Sequence, residues 1–376
     1  DDGDSGDSPR VCYFTNGTHQ LSRLWPMIAV SVDQTNGLAM QTFHLDIFAA
    51  PIREIWFSTS AGFTPGIWPG LTNRVSAGDL VSSTGRVVRR NEDLTRRLGM
   101  MPMLADLSLD AVDILPGGEV VFSTGTDDFS ETLGPLHAGD VLSDRGRVVT
   151  DYAALIGAFG PEPPVADEGL DALQIQSDGE VYFSVTNTFF SERTGQTIGH
   201  GDLLSSSGAI VRRNAELIAR FKPTNPDTDI GLSAVHVWPS GEVWFAIETG
   251  FTGPEFAIYH PGDLLSDQGY VVCRNLDLVG AFQPLEDAAS FGLDALFVVT
   301  DTLPPATEPP KLAAAGVQIV DGTVRIDWSG EGRLFQLEKA THPAGPWTPV
   351  GPISPDLGFT DTAGIAPAAY YRLLQW

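Results

Sequence analysis

The sequence predicts an all-β protein: a five-bladed β-propeller closed by both termini, followed by a small C-terminal β-sandwich. Four copies of one repeated unit indicate the propeller, and the matched phenylalanines of these copies, Phe57, Phe122, Phe183 and Phe245, recur at nearly equal spacing. Each copy divides into four strand-sized pieces separated by turns that contain glycine. Four antiparallel strands repeated in this way form the blades of a propeller.

The first residues are expected to supply part of a fifth blade. Asp1–Pro9 is acidic and polar, which is typical of a disordered spacer. Val11–Thr15 has the pattern of the repeated second strand, whereas Leu293–Val299 repeats the first strand with no second strand after it. Pairing these two segments would close a propeller over residues 10–301 and remove its open edges. The segment Leu21–Gln41, expected to contain the outer strands of that blade, lacks the repeated Gly-Asp-Leu-Leu sequence, so the positions of these strands are not predicted.

The clearest copy shows how each blade is built. Its four strands are predicted at Leu170–Gln176, Glu180–Val185, Asp202–Ser205 and Ala209–Arg213. Apolar residues alternate along these segments, and Gly-containing turns bound them, as in half-buried strands. A short helix led by Asn or Asp follows the fourth strand, and the four repeated phenylalanines are expected in the core.

Residues 302–310 form a Pro-rich linker, and residues 311–376 no longer carry the repeat. This tail resembles the fibronectin type III-like modules at the ends of secreted bacterial proteins, through Arg325-Ile-Asp-Trp328, Phe335-Gln-Leu-Glu-Lys339, Gly345-Pro-Trp347 and Ala369-Tyr-Tyr-Arg-Leu373. Repeat and tail together resemble secreted bacterial β-propeller repeat proteins with such a module. The resemblance implies that the tail is a spacer or an attachment point.

Charge and composition limit the classes of partner. The formal net charge of −26 argues against nucleic acid and anionic lipid, since both need a basic face. No apolar run is long enough to cross a bilayer. We expect a mature extracellular or cell-surface chain, with the N-terminal spacer as a candidate segment next to a lipid anchor. Cys12 and Cys273 are expected to be two buried free thiols, with a single disulfide as the alternative.

Propeller geometry places the long loops between second and third strands on one face, with the blade-to-blade connections. We call this the loop face; the tight Gly turns lie on the opposite, turn face. Loops on a rigid scaffold commonly carry binding residues, and aromatic rings beside carboxylates suit carbohydrate. The alternative is that the aromatic rings pack the loops down. The candidate ligand-binding residues are Trp68, Asp127, Asp128, Phe189, Phe190, Glu255 and Tyr259.

A second candidate site is a ring of aspartates at the start of the first strands. Its members are Asp46, Asp110, Asp171 and Asp294, and Ser233 interrupts the set in the remaining copy. Carboxylates converging on the axis would repel one another unless a cation such as Ca²⁺ or hydrogen bonds compensate. The alternative is that each aspartate caps the backbone of its own blade.

The sequence favours a binding or scaffold protein, with a glycan as a candidate ligand and Ca²⁺ as a candidate structural ion. A carboxylate-dependent glycoside hydrolase that uses the inner-strand aspartates is the alternative. The near-equivalence of these aspartates argues against the hydrolase, since an acid and a nucleophile need different environments. The aspartates of the repeated Gly-Asp pairs recur in every complete copy and are expected to be architectural: Asp79, Asp140, Asp202 and Asp263.

Overall fold

The computed structural model of the chain is all-β, with short helices between its sheets. It describes residues 10–12, 28–33, 42–47, 52–67, 74–100, 106–164, 167, 169–287, 291–300, 310–320, 323–362 and 369–376. For the strands before residue 48, the description covers the backbone alone. Asp1–Pro9 and Trp68 therefore lie outside the described residues.

Four sheets have the same four-stranded antiparallel order, and we call each of them a blade. Blade 1 contains Leu296–Thr300, Ile52–Phe57, Leu80–Ser82 and Arg86–Arg89; blade 2 contains Ala111–Leu115, Glu119–Ser123, Val141–Ser143 and Arg147–Thr150. Blade 3 contains Ala172–Ile175, Val181–Ser184, Leu203–Ser205 and Ile210–Arg212; blade 4 contains Leu232–Val237, Val243–Ile247, Leu264–Ser266 and Tyr270–Cys273.

The inner strand, named first in each blade, contacts the inner strands of both neighbouring blades. Blade 1 contacts blade 2 and blade 4 in this way, so the succession of inner strands returns to its start. Because an inner strand has no sheet partner on its axial side, its backbone groups there need side-chain partners. Asp113 accepts a hydrogen bond from the Ile175 N–H at 2.6 Å, and Gln174 bonds in both directions to the Val237 backbone. These bonds tie neighbouring blades together around a narrow channel.

The expected closure by Val11–Thr15 is wrong for the described strands. Leu296–Thr300 pairs instead with Ile52–Phe57, with Leu296 opposite Phe57 and Val298 opposite Ile55. The two ends of the repeated region do share a blade, as expected, but this blade is the one that contains Ile52–Phe57. This pairing is possible because Thr42–Ile47 pairs with Ile28–Asp33. The inner edge of Ile52–Phe57 is therefore available to Leu296–Thr300.

The chain before residue 48 contributes a separate three-stranded sheet rather than the outer part of a split blade. Its strands are Arg10–Cys12, Ile28–Asp33 and Thr42–Ile47, and the middle strand pairs with both others. The four described blades and this sheet therefore replace the predicted set of five blades. Asp46, predicted to belong to the axial ring, lies on the last strand of this sheet.

The loops between second and third strands form hairpins that contact the preceding blade. These hairpins are Asp128–Ser130 with Gly134–Leu136, Phe189–Ser191 with Gln196–Ile198, and Phe251–Thr252 with Ile258–Tyr259. In blade 3, the Ser191 hydroxyl donates to the Phe159 carbonyl, which follows blade 2, at 2.6 Å. Blades 4 and 1 meet in a similar place: the ring of Phe63, in the loop of blade 1, lies 5.3 Å from the ring of Phe282, which follows blade 4.

Short helices connect successive blades. The α-helices are Asn91–Thr95, Tyr152–Gly157, Asn214–Ile218 and Asn275–Val279, and the 3₁₀ helices Ala219–Phe221 and Gly280–Phe282 follow the last two of them. A further 3₁₀ helix, Pro254–Phe256, lies within the blade 4 hairpin. The Gly-Asp aspartates hold the starts of the α-helices: Asp202 accepts from the N–H groups of Asn214 and Gly199 at 2.9 and 3.0 Å. Equivalent bonds form at Asp79, Asp140 and Asp263. The architectural role expected for these four residues is confirmed.

The apolar core lies between adjacent blades. The four repeated phenylalanines are fully buried, as predicted: Phe57, Phe122, Phe183 and Phe245. Cys273 is buried with a free thiol, whereas the side chain of Cys12 lies outside the described part of the chain. Among the described residues, no helix is long and apolar enough to cross a membrane.

The C-terminal module, which we define as residues 310–376, forms two three-stranded antiparallel sheets. One contains Lys311–Val320, Thr323–Ser329 and Gly358–Asp361; the other contains Thr348–Pro349, Phe335–Ala340 and Tyr370–Gln375. Trp328 and Phe335 pack between them, with ring centroids 6.0 Å apart. The strand Gly358–Asp361 was not predicted, because its short sequence has no clear alternation.

Candidate functional site

The candidate site is the end of the channel on the loop face, which we call the channel mouth. Each inner strand begins here, and each second strand ends beside it. In blade 3, the Thr186 N–H donates to the Gly169 carbonyl at 3.4 Å, which fixes the residue after the second strand next to Asp171. Thr186 also donates from its hydroxyl to an Asp171 oxygen at 3.0 Å.

Three of the four predicted ring aspartates converge at the channel mouth. Burial raises the pKa of Asp110 to about 6 and that of Asp294 to about 7, and in each case a neighbouring carboxylate raises it further. For Asp110 this neighbour is Glu248, and for Asp294 it is first Asp110 and then Glu248. The three aspartates therefore share one electrostatic environment, in which the protonated form is favoured.

Glu248 supplies the carboxyl group that Ser233 lacks, and the sequence analysis missed it. Burial and then the charge of Glu248 raise the pKa of Asp171 to about 8, and one oxygen of Asp171 is buried without a hydrogen-bond partner. Two carboxyl groups this close oppose each other's ionisation, so Asp171 keeps its proton to a higher pH. The mouth thus holds a carboxyl pair, Asp171 with Glu248, beside the further carboxyls of Asp110 and Asp294.

A coordinated exchange in blade 4 explains why Ser233 stands where the other blades have Asp. In blade 3, the Ser184 hydroxyl donates to the Leu232 carbonyl of the next blade at 2.7 Å, and blades 1 and 2 make the same bond. Ala246 occupies that position in blade 4, and Ser233 donates to the Leu293 carbonyl at 2.8 Å instead. Ser233 has therefore taken over a bond between blades, while Glu248 brings a carboxyl group back to the mouth.

His200 lies beside this carboxyl pair. Its Nδ1 is 3.3 Å from Glu248, and its Nε2 is 3.5 Å from Asp229. The hydrogen bond to Glu248 raises the pKa of His200, and burial opposes this change. An imidazole between two carboxylates can hold or pass on a proton, so the mouth has groups that exchange protons near neutral pH.

The predicted metal site is not assembled among the described side chains. No group of three or more His, Cys, Asp or Glu side chains in the described ranges has the spacing of a metal centre. The side chain of Asp46 is outside the described residues, and its strand pairs away from the blades. The carboxyl oxygens of Asp110, Asp171 and Asp294 are ligands of the kind that Ca²⁺ accepts, but their present spacing is not that of a Ca²⁺ site.

The predicted ligand-binding residues separate into two groups on the loop face. Phe189 is buried and packs on Phe159, with ring centroids 6.1 Å apart, and Tyr259 stacks on Phe251 at 4.7 Å. Both rings hold their hairpins in place, as the alternative interpretation expected. Phe190 is 45% exposed at its hairpin.

The acidic members of the predicted set lie on the same hairpins. Asp127 and Glu255 are exposed; Asp127 accepts from the Ala138 N–H at 2.9 Å and lies 3.5 Å from His137. Asp128 is half-buried and accepts from the Phe129 N–H at 2.7 Å. Large exposed aromatic residues that the sequence analysis did not select are Phe129 and Phe256. In the sequence, the signal for the exposure of Phe129 and Phe256 was their position beside the turn residues of these hairpins.

The opposite end of the channel has a different residue in each blade. Asp113, Gln174, His236 and Phe297 occupy matching places on the four inner strands and line a cavity of about 30 Å³. Burial raises the pKa of Asp113 to about 6, although Arg333 opposes this, and burial lowers the pKa of His236 to about 3. His236 is therefore neutral near pH 7, whereas Asp113 keeps its proton only to a higher pH than an exposed aspartate does.

No protein-family model matches the chain, and no curated protein matches it. Among solved structures, the extracellular domain of a protein described as a hybrid two-component system from B. thetaiotaomicron is 10% identical (72% of this chain, 42% of that chain, TM-score 0.21). A streptogramin B lyase is 13% identical (67% and 70%, TM-score 0.19), and an extracellular domain described as part of a one-component system of B. thetaiotaomicron is 8% identical (85% and 54%, TM-score 0.21). The chain spans under two thirds of the first and third of these. At such TM-scores, these likenesses assign no function.

Proposed function

We propose that the chain is an extracellular or cell-surface binding or scaffold protein that presents its loop face to a ligand, with the channel mouth at the centre. The observation that supports this most is the convergence of Asp110, Asp171, Asp294 and Glu248 at one end of the channel. Buried carboxyl groups with raised pKa values concentrate at functional sites more often than elsewhere. The four described blades, taken as a four-bladed propeller, give this mouth a rigid frame.

A glycan is the ligand class that suits this face best. A protonated carboxyl group both donates and accepts hydrogen bonds, as sugar hydroxyl groups do. Phe190 and Phe129 are exposed rings on the hairpins of blades 3 and 2, and Asp127 and Asp128 add acidic side chains at the hairpin of Phe129. Phe189 and Tyr259 hold the hairpins of blades 3 and 4 in place, and Glu255 and Trp68 complete the proposed contact set.

A hard cation is the second candidate for the mouth. Ca²⁺ takes six to eight oxygen ligands, and Asp110, Asp171, Asp294 and Glu248 offer carboxyl oxygens. Since these groups are not assembled as a metal centre, binding would require them to move together and the three aspartates to lose their protons. Affinity should therefore increase with pH through the range in which they titrate.

One observation favours the hydrolase alternative more than the sequence did. The carboxyl groups at the mouth are not equivalent, because Asp171 is paired with Glu248 and its pKa is raised to about 8, whereas that of Asp110 is about 6. Asp171 could then donate a proton while a second carboxylate acts as base or nucleophile, the division of roles that glycoside hydrolysis needs.

A glycan affinity gel combined with a reducing-sugar assay tests both candidates. The binding function is supported if the gel retains the protein, no sugar is released, and retention is weaker for Phe190→Ala and for Asp171→Asn. Asp178→Asn, in the exposed tight turn of blade 3 on the turn face, is the matched control and should behave as the unmodified chain. Sugar release that is lost in Asp171→Asn would establish the hydrolase instead. The glycan proposal fails if neither retention nor release occurs across a broad glycan panel.

A further inference from the structure

The C-terminal module lies against the turn face of blades 1 and 2. The Gly117 N–H, in the tight turn of blade 2, donates to the Gly332 carbonyl of the module at 2.8 Å. The next turn residue, Gly118, has a positive φ of 72°, and a Cβ built on it would lie 1.9 Å from the Pro355 carbonyl oxygen. The module therefore approaches the turn so closely that only glycine fits at this position. A loosely tethered spacer would not need so close a contact.

Charged side chains of blade 1 bind the module at two places. Arg89 forms a two-pronged ion pair with Asp356, at 2.6 and 3.4 Å. Arg86 donates to the Ile353 carbonyl at 2.7 Å while it pairs with Glu54 within its own blade at the same distance. Both arginines lie on the outermost strand of blade 1, so the module is held at the blade in which the two ends of the repeated region meet.

Apolar residues of the module are part of the propeller core. Leu334 is fully buried and Ile353 is 5% exposed, and both belong to the cluster that contains Trp56 of blade 1 and Val120 of blade 2. Removing two such side chains from water stabilises the contact between module and propeller. This burial would be lost if the module detached.

Arg333 reaches the channel at its turn-face end. Its Nη1 is 3.6 Å from Asp113, and its side chain is 15% exposed. It lines the small cavity between the inner strands, where Gln174 and His236 are its polar neighbours. A cationic side chain thus faces the buried carboxyl group that joins blades 2 and 3.

We propose that the C-terminal module is a clasp that closes the turn-face end of the channel and fastens blade 1 to blade 2. The loop face is then the route by which a ligand reaches the channel. Blade 1 is the seam of the ring, because Leu296–Thr300 comes from one end of the repeated region and Ile52–Phe57 from the other. The module follows the closing strand Leu296–Thr300 in sequence and binds Arg86 and Arg89 on the other side of the seam, which opposes its opening.

The test uses the full chain with a protease recognition sequence inserted into residues 302–309. After cleavage, the module should elute with the propeller on size exclusion at micromolar concentration. Arg89→Glu should weaken retention about tenfold, since it replaces an ion pair by a like-charge contact. The reversed pair, Arg89→Glu with Asp356→Arg, should restore retention. Arg325→Glu is the control, because Arg325 pairs with Asp327 inside the module.

A second measurement tests the closure of the channel. Arg333→Gln should make the amide hydrogens of Ala111–Leu115 and Ala172–Ile175 exchange with solvent about tenfold faster, without loss of the module from the cleaved protein. Separation of the cleaved module from the unmodified propeller, or equal retention of Arg89→Glu and the control, would overturn the clasp. Unchanged exchange in Arg333→Gln would overturn its role in closing the channel.

Discussion

Replacing Asp171 by Asn should stabilise the protein considerably more at pH 9 than at pH 5. In the folded protein the pKa of Asp171 is raised to about 8 from an ordinary value of 3.8, by burial and by Glu248. A carboxyl group with a raised pKa contributes stability that is fully present below pH 3.8 and is lost as the pH rises through about 8. At pH 5 the folded state still holds this proton and only the unfolded chain has lost it, so most of the loss of stability occurs between pH 5 and about 8.

The size of the effect follows from the difference in proton affinity. Each tenfold change corresponds to about 1.4 kcal/mol, so the rise from 3.8 to about 8 is equivalent to roughly 6 kcal/mol at high pH. The mouth is partly open to solvent, which screens the charge, and we expect a gain of about 2–4 kcal/mol for Asp171→Asn at pH 9. The hydrogen bond from Thr186 can be kept by the amide oxygen of Asn.

Urea unfolding followed by tryptophan fluorescence at pH 5, 7 and 9, in the presence of EDTA, measures this difference. Asp227→Asn controls for the loss of one negative charge from a chain of net charge −26, because Asp227 lies on an exposed loop. The difference between Asp171→Asn and the unmodified protein should grow from pH 5 to pH 9. A constant difference, or an equal gain in the control, would refute the coupling of these carboxyl groups.

Two further outcomes are expected. Phe183→Ala should lower the free energy of unfolding by about 3–5 kcal/mol, because Phe183 is fully buried, whereas Phe190→Ala should change it by less than about 0.5 kcal/mol; similar urea midpoints for both would contradict the assigned orientations. If the mouth binds Ca²⁺, a hundredfold excess over the dissociation constant should stabilise the protein by about 2.7 kcal/mol, and Asp171→Asn should reduce this gain; identical melting curves in Ca²⁺ and EDTA would exclude the cation.

Most of the blade architecture could be predicted from the sequence. Repeated strands and Gly turns predicted the second, third and fourth strands of each complete copy, and the buried phenylalanines followed from apolar alternation. The Gly-Asp aspartates were assigned correctly because a residue that recurs in every copy serves the copy itself. The repeat could also show that Asp110, Asp171 and Asp294 stand at matching places, and matching places around a ring converge.

The pairing of the closing strand was decided by the tertiary structure. Leu296–Thr300 could pair with any second strand that lacked an inner partner, and sequence pattern alone does not say which one is free. Here Thr42–Ile47 joins the N-terminal sheet, so Ile52–Phe57 is the strand that remains. Strand pairing between distant segments depends on which edges other segments leave open, and this information is not local.

The sequence by itself determined the repeat, the strands and three of the four carboxyl groups at the mouth. Only the tertiary structure decided that Glu248 completes the set, because Glu248 and Asp171 come from different blades and meet through the arrangement of the ring. The same holds for Arg333, which reaches Asp113 from a module that the sequence presents as a separate tail. Local pattern specifies elements because propensity and burial act along the chain, whereas contacts between blades and module depend on how complete elements pack in space.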